Sequence, residues 1–291
     1  MMHKILIVWN ILILGASTYM MAQTHRFIYE LKYKSDSAQT DYSTQEMVLD
    51  INPENVKFYE HDFVKSDSLR KLPNHQYDQH TSQTGQTIAR KKGINMNLNY
   101  VQIRMMPFYY VFESNDEIKW KIQKETKTIA NYKIQMATAN FGGRKWIAWF
   151  TADIPISEGP YKFRGLPGLI LFIEDSKQNF IYSFVRNQNF PFTYNTNEFI
   201  ESHYILKAIK INYKTWIRLN LDFFNDPYAR MRTDFQPDWN VEINGRKIKA
   251  KEEFNDLTES TQIEIRTYYN PVELDKAIPY PLVKGNIKIK G

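Results

Sequence analysis

The segment spanning residues 146–175 constrains the fold of this chain most strongly. Pro167-Gly168 suits the two central positions of a type II turn, because proline fixes φ near about −65° and glycine accepts the positive φ that follows. Five apolar residues come next, at positions 169–173, and they end at Glu174-Asp175. A short apolar run between turn signals is typical of a strand that is buried on both faces. The sequence therefore predicts a structural corner that leads into a core strand, with a ligand-contacting loop as the alternative.

The start of the chain predicts an export signal. Lys4 gives a short positive region, and residues 5–14 are almost entirely apolar. Ala22 suits the last position before cleavage, ahead of Gln23. The apolar run is shorter than the ~20 residues that a membrane-spanning helix needs, so residues 1–22 are predicted to be a cleaved signal peptide. We therefore expect a periplasmic or secreted protein with no transmembrane span in the mature chain.

The composition excludes several kinds of chemistry. The chain contains no cysteine, so we expect no lipoprotein anchor, no disulfide, no thiolate nucleophile and no Cys-ligated zinc. Hydrophobic residues make up 43% of the chain, which is enough to build a core without disulfides. The formal net charge is +6, but the basic residues are scattered. Together with export, this argues against a nucleic-acid partner and favours anionic envelope glycans or lipid headgroups as electrostatic partners.

Strand signals dominate the rest of the chain. Apolar and polar residues alternate over positions 27–33, and Gly142-Gly143 between two strand-like runs predicts a hairpin. Polar residues fill most of positions 65–93, which predicts a mobile loop. Because no linker or internal repeat divides the chain, we predict a single β-rich domain over residues 23–291.

One helix stands out among these strands. Trp216, Leu219 and Phe223 recur at helical spacing over residues 213–224, and Asn212 or Thr215 suits the cap at the start. The fold class that follows is mainly β (α+β): a curved antiparallel sheet with one or two helices.

Residues 165–170 spell GLPGLI, and the chain resembles the GLPGLI family, which comprises exported bacterial proteins whose activity is not established. Segments 159–163 (GPYKF) and 270–274 (NPVEL) resemble further elements of that family. Many members carry a cysteine near positions 134–136, which hold Ile134 and Met136 here, and this departure argues against a thiol role. The family-motif residues are Arg144, Trp146, Trp149, Pro155, Gly159, Pro160, Gly165, Leu166, Pro167, Gly168, Leu169 and Ile170.

The antiparallel pattern also resembles the lipoprotein-carrier class, in which a half-barrel sheet encloses an apolar groove. In that arrangement aromatic side chains would face a ligand. Trp146 and Trp149 lie on opposite faces of one predicted strand, so one of them is expected in the core. The other is expected either to line a groove or to lie beneath a neighbouring loop.

Candidate catalytic residues are few. His75, Asp78 and His80 could gather around a metal ion, but no metal-binding motif accompanies them, so a solvated loop is the simpler interpretation and we expect no metal and no cofactor. Three acids flank the motif and could in principle form the carboxylate pair of a glycoside hydrolase. Pairing with Arg144 or Arg164 is the alternative role for these acids, which are Asp153, Glu158 and Glu174.

Two functional hypotheses from different classes follow. We favour an exported, non-catalytic binding or accessory protein of the bacterial envelope that holds an unknown apolar ligand, a peptide or an envelope protein. This hypothesis depends on the aromatic content without a catalytic constellation, and it assigns no catalytic residue. The alternatives are a hydrolase that uses the carboxylates near the motif, and a structural partner of an outer-membrane complex.

Overall fold

The computed structural model describes residues 24–75, 78–129, 131–243 and 245–282. The predicted signal peptide lies outside these residues, and the division into domains stays a prediction. The strands are β1 (Thr24–Tyr33), β2 (Ser43–Ile51), β3 (Asn55–Glu60), β4 (Thr87–Lys91), β5 (Met96–Gln102), β6 (Tyr109–Asn115), β7 (Lys121–Ile129), β8 (Tyr132–Phe141), β9 (Arg144–Thr151), β10 (Leu169–Asp175), β11 (Phe180–Phe190), β12 (Ser202–His203), β13 (Leu206–Lys207), β14 (Ile209–Lys210), β15 (Val241–Ile243) and β16 (Arg246–Ile248).

One large sheet organises the described residues. It contains 12 strands in the order β14-β6-β5-β4-β3-β2-β1-β11-β10-β9-β8-β7. Neighbouring strands pair antiparallel, except for the short parallel pair of β14 and β6. The sheet is curved and open, which confirms the predicted fold class. The predicted glycine hairpin is also confirmed, since β8 and β9 pair through Phe141 and Arg144 around two glycines at positive φ.

The helices are few and short. Helix α2 is the predicted one, and its cap is Asn212, whose Oδ1 accepts from the Thr215 backbone N–H at 2.8 Å. No helix within the described ranges is long and apolar enough to cross a membrane. In these ranges the α-helices are α1 (Asp62–Arg70), α2 (Tyr213–Asn225), α3 (Ala229–Asp234) and α4 (Glu253–Thr267), with a π-helical turn at Asn197–Glu201 and a 3₁₀ turn at Leu274–Lys276.

The prediction of a mobile loop over residues 65–93 is wrong at both ends. Helix α1 covers its first residues and strand β4 covers its last ones. In α1 only Phe63 is buried, so the helix carries almost no apolar periodicity. In β4 the buried side chains include Arg90, a residue type that normally marks the surface. Because Arg90 is charged and yet buried, the sequence of β4 has the composition of a polar loop although the strand lies inside the sheet.

Both faces of the sheet are covered. Alternate residues of a strand point to opposite faces, so Tyr29 of β1 lies in one apolar cluster and Ile28 in another. The Tyr29 cluster includes Trp146, Phe163 and most of the apolar residues of β10. The Ile28 cluster is covered by α1 and by residues 199–208. The large strands therefore hold two apolar layers, and a third, smaller cluster forms among α3, β16 and α4.

The motif segment forms the predicted corner, with a different turn. Gly168 has φ +153°, but its N–H bonds to the carbonyl of Leu166 at 2.8 Å, which is a three-residue γ-type turn around Pro167. The Leu169 N–H bonds to Ile154 instead, at 3.1 Å, so the prediction of a type II turn is wrong. The positive φ at Gly168 is confirmed.

Strand β10 is the predicted core strand. It lies between β9 and β11, and Leu169, Leu171 and Ile173 are all buried. Leu171→Ala should therefore lower the free energy of unfolding by ~2–5 kcal/mol, because it removes a buried side chain from a packed layer. Equilibrium denaturation measures this loss. Val185→Ala on β11 is the control, since Val185 is half exposed and should lose less than ~1 kcal/mol. Equal losses in the two variants would contradict the burial of Leu171.

Candidate functional site

The two tryptophans of β9 have different surroundings. Trp146 is completely buried, and its indole N–H donates to the carbonyl of Phe141 at 3.0 Å. Trp149 lies on the opposite face, half-buried, with the ammonium of Lys127 3.9 Å from its ring centre. Trp146 is thus the core member of the pair, and Trp149 is covered by a side chain of β7. Neither contributes to the cleft described below.

The carboxylates near the motif do not meet. Glu158 is buried and forms an ion pair with the guanidinium of Arg90. Asp153 is exposed and accepts from the Lys133 backbone N–H at 3.3 Å. Glu174 accepts from a neighbouring glutamine, Gln178. Because each acid has its own local partner and none of them lines the cleft, they do not form a carboxylate pair around a substrate.

The histidines of the predicted loop diverge as well. His75 pairs with Asp78 at 2.8 Å, whereas the Nε2 atom of His80 bonds to Glu60 at 2.5 Å. Across the described ranges, no group of three or more metal-binding side chains converges.

Arg144 connects the glycine hairpin to a distant part of the chain, the C-terminal strap (residues 268–280). Its guanidinium donates to the carbonyls of Val272 at 3.0 Å and Pro271 at 2.8 Å, and to Asn270 Oδ1 at 2.6 Å. It also pairs with the buried Asp175. The strap is therefore fixed to the hairpin by one planar side chain with several donors.

Four charged side chains, the ionic cluster (Asp116, Lys162, Glu273 and Lys276), join the strap to the GPYKF segment. The Lys162 ammonium lies 3.0 Å from an Asp116 oxygen and 2.6 Å from a Glu273 oxygen. Lys276 also pairs with both carboxylates. The Tyr161 hydroxyl donates to Glu273 at 2.7 Å. Two positive and two negative groups thus neutralise each other.

The electrostatics of this cluster favour its charged form. Burial alone would raise the pKa of Asp116, but the positive charge of Lys162 and the hydrogen bonds from Lys276 and Ser114 lower that pKa to about 2. Burial also tends to lower the pKa of Lys276, and the two carboxylates outweigh this and raise it. The ion pairs are therefore intact at neutral pH.

A cleft of about 350 Å³ opens beside the ionic cluster. Its walls come from a polar loop (residues 81–87), from strands β5 and β6, from helix α2 and from the C-terminal strap. A volume in this range is typical of sites for small molecules. Twelve aromatic side chains line the cleft: Tyr33, Phe63, Tyr100, Tyr109, Phe112, Tyr161, Phe180, Tyr213, Trp216, Tyr268, Tyr269 and Tyr280.

Glu60 fixes the polar loop in place. Its buried carboxylate accepts hydrogen bonds from His80, from the Ser82 hydroxyl at 2.7 Å, and from both the N–H and the hydroxyl of Thr84 at 2.7 and 2.8 Å. Burial raises the pKa of Glu60, but these hydrogen bonds outweigh burial and lower it. One ionised side chain thus holds a cleft wall that has no regular secondary structure before β4 begins at Thr87.

Four buried polar atoms of cleft residues have no hydrogen-bond partner within the described part of the chain: Gln86 Nε2, Thr87 Oγ1, Gln102 Oε1 and His203 Nδ1. Gln86 uses its other amide atom to accept from Tyr182 at 2.7 Å. Buried polar groups are normally paired, so four unpaired ones around one cleft are unusual.

The tautomer of His203 follows from its environment. Its Nε2 lies 2.9 Å from the carbonyl oxygen of His80, which can only accept, so Nε2 carries the proton. Burial lowers the pKa of His203, more than the bond to His80 raises it. The ring is therefore neutral at pH 7, and Nδ1 carries a lone pair that no described residue binds.

The sequence singled out only a few of these residues. Trp216 was identified as part of a helical face, and the segments around Tyr161 and Glu273 as family motifs. Thr87 lay in the predicted loop, and nothing in the sequence distinguished His203. The family motifs themselves split into two sets, since Gly165 to Ile170 build the corner while the GPYKF and NPVEL segments reach the cleft.

Comparisons with known proteins give a fold and a short shared segment. Residues 142–172 match the sequence model of a family described as protein of unknown function (Porph_ging). This segment contains the hairpin glycines and the GLPGLI corner, and it is far less than half of the chain. No curated protein matches.

Among solved structures, two crystal forms of PNGF-II resemble this chain, in space groups C2 and P21. In each comparison the TM-score is 0.50, the sequence identity is 11%, and the match covers 68% of this chain. The match covers 32% and 33% of the PNGF-II chains, so this chain spans about a third of their length. At this identity the likeness shows the fold alone.

Proposed function

We propose that this chain is an exported, non-catalytic binding protein of the bacterial envelope, of GLPGLI type, and that its ligand occupies the aromatic cleft. The observation that carries the proposal is the cleft itself, in which aromatic walls accompany four buried polar atoms that have no partner among the described residues. Sites for small molecules combine apolar walls with a few placed polar groups in this way. The sequence favours an apolar molecule, a peptide or an envelope protein as the occupant.

The same geometry supports different roles for different segments of the chain. The corner formed by residues 165–170 and the hairpin at Gly142-Gly143 support the fold. Arg144 and the ionic cluster then hold the C-terminal strap against the sheet, where it forms one wall of the cleft. In this proposal the motif residues act on ligand binding only through the position of the strap.

Hydrolysis is the less supported candidate. Glu158 is neutralised by Arg90, and the other two acids near the motif lie elsewhere on the surface or on a strand end. A structural partner of an outer-membrane complex would need no ligand in the cleft, whereas a binding protein would. The presence or absence of a bound ligand therefore distinguishes the two roles. Export to the periplasm or beyond, through cleavage near Ala22-Gln23, is part of the proposal.

Native mass spectrometry of the protein purified from its own envelope tests the proposal. We expect a bound small molecule, because a preformed cleft with unpaired polar atoms favours an occupant. Trp216 is the only tryptophan among the described cleft residues, so released ligand added back should change its fluorescence. Trp216→Phe should abolish this change, and Trp149→Phe, outside the cleft, should keep it. An unoccupied protein whose fluorescence responds to no lipid, peptide or glycan would favour the structural-partner role.

A further inference from the structure

The charges around the cleft select against a charged ligand. The charged cleft residues are Lys162, Glu273 and Lys276, and together with Asp116 they form a neutral cluster. The Lys162 ammonium lies 3.0 Å from an Asp116 oxygen and 2.6 Å from a Glu273 oxygen. His203 is neutral at pH 7. An anionic or cationic ligand would have to break one of these pairs, which is unfavourable for buried groups. An uncharged ligand leaves them intact.

The unpaired buried polar groups around the cleft belong to side chains. Strands β4 and β5 lie inside the sheet with a neighbour on each side, so an extended peptide cannot add to them as a strand. Strand β6 lies between β5 and β14, and β14 pairs with its residues Tyr110 and Val111. A ligand that pairs the buried side-chain groups meets the amide donor of Gln86, the amide oxygen of Gln102, the lone pair of His203 and the hydroxyl of Thr87. A hydroxyl group can donate to one of these and accept from another.

Flat aromatic surfaces complete the cleft. Tyr100 and Tyr109 stack with ring centres 5.8 Å apart and planes 16° apart, and Thr87 is the register partner of Tyr100. On another side Trp216 stacks on Phe112, with ring centres 6.2 Å apart. Tyrosine and tryptophan offer an apolar ring face together with a polar tip. Such faces accept the C–H groups of a sugar ring, while polar tips meet its hydroxyls.

From these three features we propose that the ligand of the cleft is an uncharged oligosaccharide. This inference rests on the proposed binding function and adds the ligand class. An apolar lipid would leave Gln86, Thr87 and His203 buried and unpaired, which opposes its binding. A neutral molecule that carries many hydroxyls on a ring satisfies the donors, the acceptor and the aromatic walls at once.

Isothermal titration calorimetry of the full chain tests the ligand class with defined probes. Maltotriose, cellotriose and tri-N-acetylchitotriose are the neutral sugars, trigalacturonic acid is the charged sugar, and a sugar-free dodecylphosphocholine micelle and a decapeptide represent the other classes. We expect at least one neutral trisaccharide to bind and to change Trp216 fluorescence. Thr87→Val keeps the shape of the side chain and removes its hydroxyl, so it should weaken that sugar about tenfold.

Matched variants separate the outcomes. Thr128→Val on the exposed strand β7 should leave sugar binding unchanged. His203→Phe keeps a ring beside Tyr109 and removes the lone pair, and it should also weaken the sugar if Thr87→Val proves too unstable to study. Cleft binding of the peptide or the lipid without any sugar would overturn the ligand class and leave the binding function standing. Sugar binding that both cleft variants preserve would overturn the inference, and no binding by any probe would count against both proposals.

Discussion

Gly168→Ala should destabilise the protein more than the addition of a methyl group at any other glycine that the structure describes. A Cβ atom at this position would lie 2.0 Å from the carbonyl oxygen of Thr151 and 2.6 Å from its carbon. Both are backbone atoms of β9, so no side chain can rotate away. The φ of Gly168, +153°, lies far from the left-handed helical region and is rarely adopted by residues with a Cβ, which adds a cost of about 1–3 kcal/mol. We expect a total loss of about 4 kcal/mol or more in the free energy of unfolding, or failure to fold.

Gly93→Ala is the matched control for this prediction. Gly93 also has a positive φ, +77°, but a Cβ there would meet nothing within 4 Å. Only the backbone cost of about 1–2 kcal/mol should therefore remain. Equilibrium denaturation of the two variants separates the cost of the φ angle from the cost of the close approach. Similar losses at both positions would show that β9 does not pass as close to the corner as described.

Arg90→Met should have the second largest effect. The guanidinium of Arg90 is fully buried and pairs with the carboxylate of Glu158. Among the described residues, Glu158 has one further charged partner, Arg164, at 3.9 Å. Removing Arg90 leaves a buried carboxylate with little compensation, and such changes cost about 3–5 kcal/mol. The Arg90 N–H groups also reach the carbonyl of Tyr161 at 3.1 Å, so the GPYKF segment should loosen as well.

A double variant and a surface pair control this second experiment. Arg90→Met combined with Glu158→Gln should recover part of the lost stability, because the unpaired charge is gone. Lys210→Met breaks the exposed pair of Lys210 and Glu113 and should cost less than ~1 kcal/mol. Chemical denaturation of the purified variants measures all three. If Arg90→Met is no worse than Lys210→Met, the Arg90–Glu158 pair is not an essential part of the core.

Three elements could be predicted from short stretches of the sequence: a core strand, a helix and a hairpin. The apolar run at 169–173 predicted the core strand, because a short continuous run between turn signals is typical of a strand buried on both faces. Helix α2 followed from the spacing of Trp216, Leu219 and Phe223 together with the cap at Asn212. The hairpin followed from Gly142-Gly143. In each case the residues that determine the structure lie close together in the sequence.

The cleft could not be predicted in this way, because distant residues build it. Lys162 and Glu273 are 111 positions apart, and only the tertiary fold brings them together. The pairing of Arg90 with Glu158 explains why a buried strand looked polar and was mistaken for loop. The alternation of side chains along a strand predicts that Trp146 and Trp149 face opposite sides of the sheet. Which of the two sides is the core depends on the segment that covers it, and here the segment containing Phe163 covers Trp146.

Hydrogen–deuterium exchange with and without ligand is the measurement that tests the account most directly. The small-molecule fraction released from the protein's own envelope serves as the ligand source. We predict slower exchange in the polar loop at residues 81–87 and in the C-terminal strap, with no change at residues 152–158 and 164–168, which do not line the cleft. Protection confined to residues 152–158 and 164–168, with an unchanged polar loop and strap, would contradict the account, because the GLPGLI corner would then be the binding site rather than part of the scaffold.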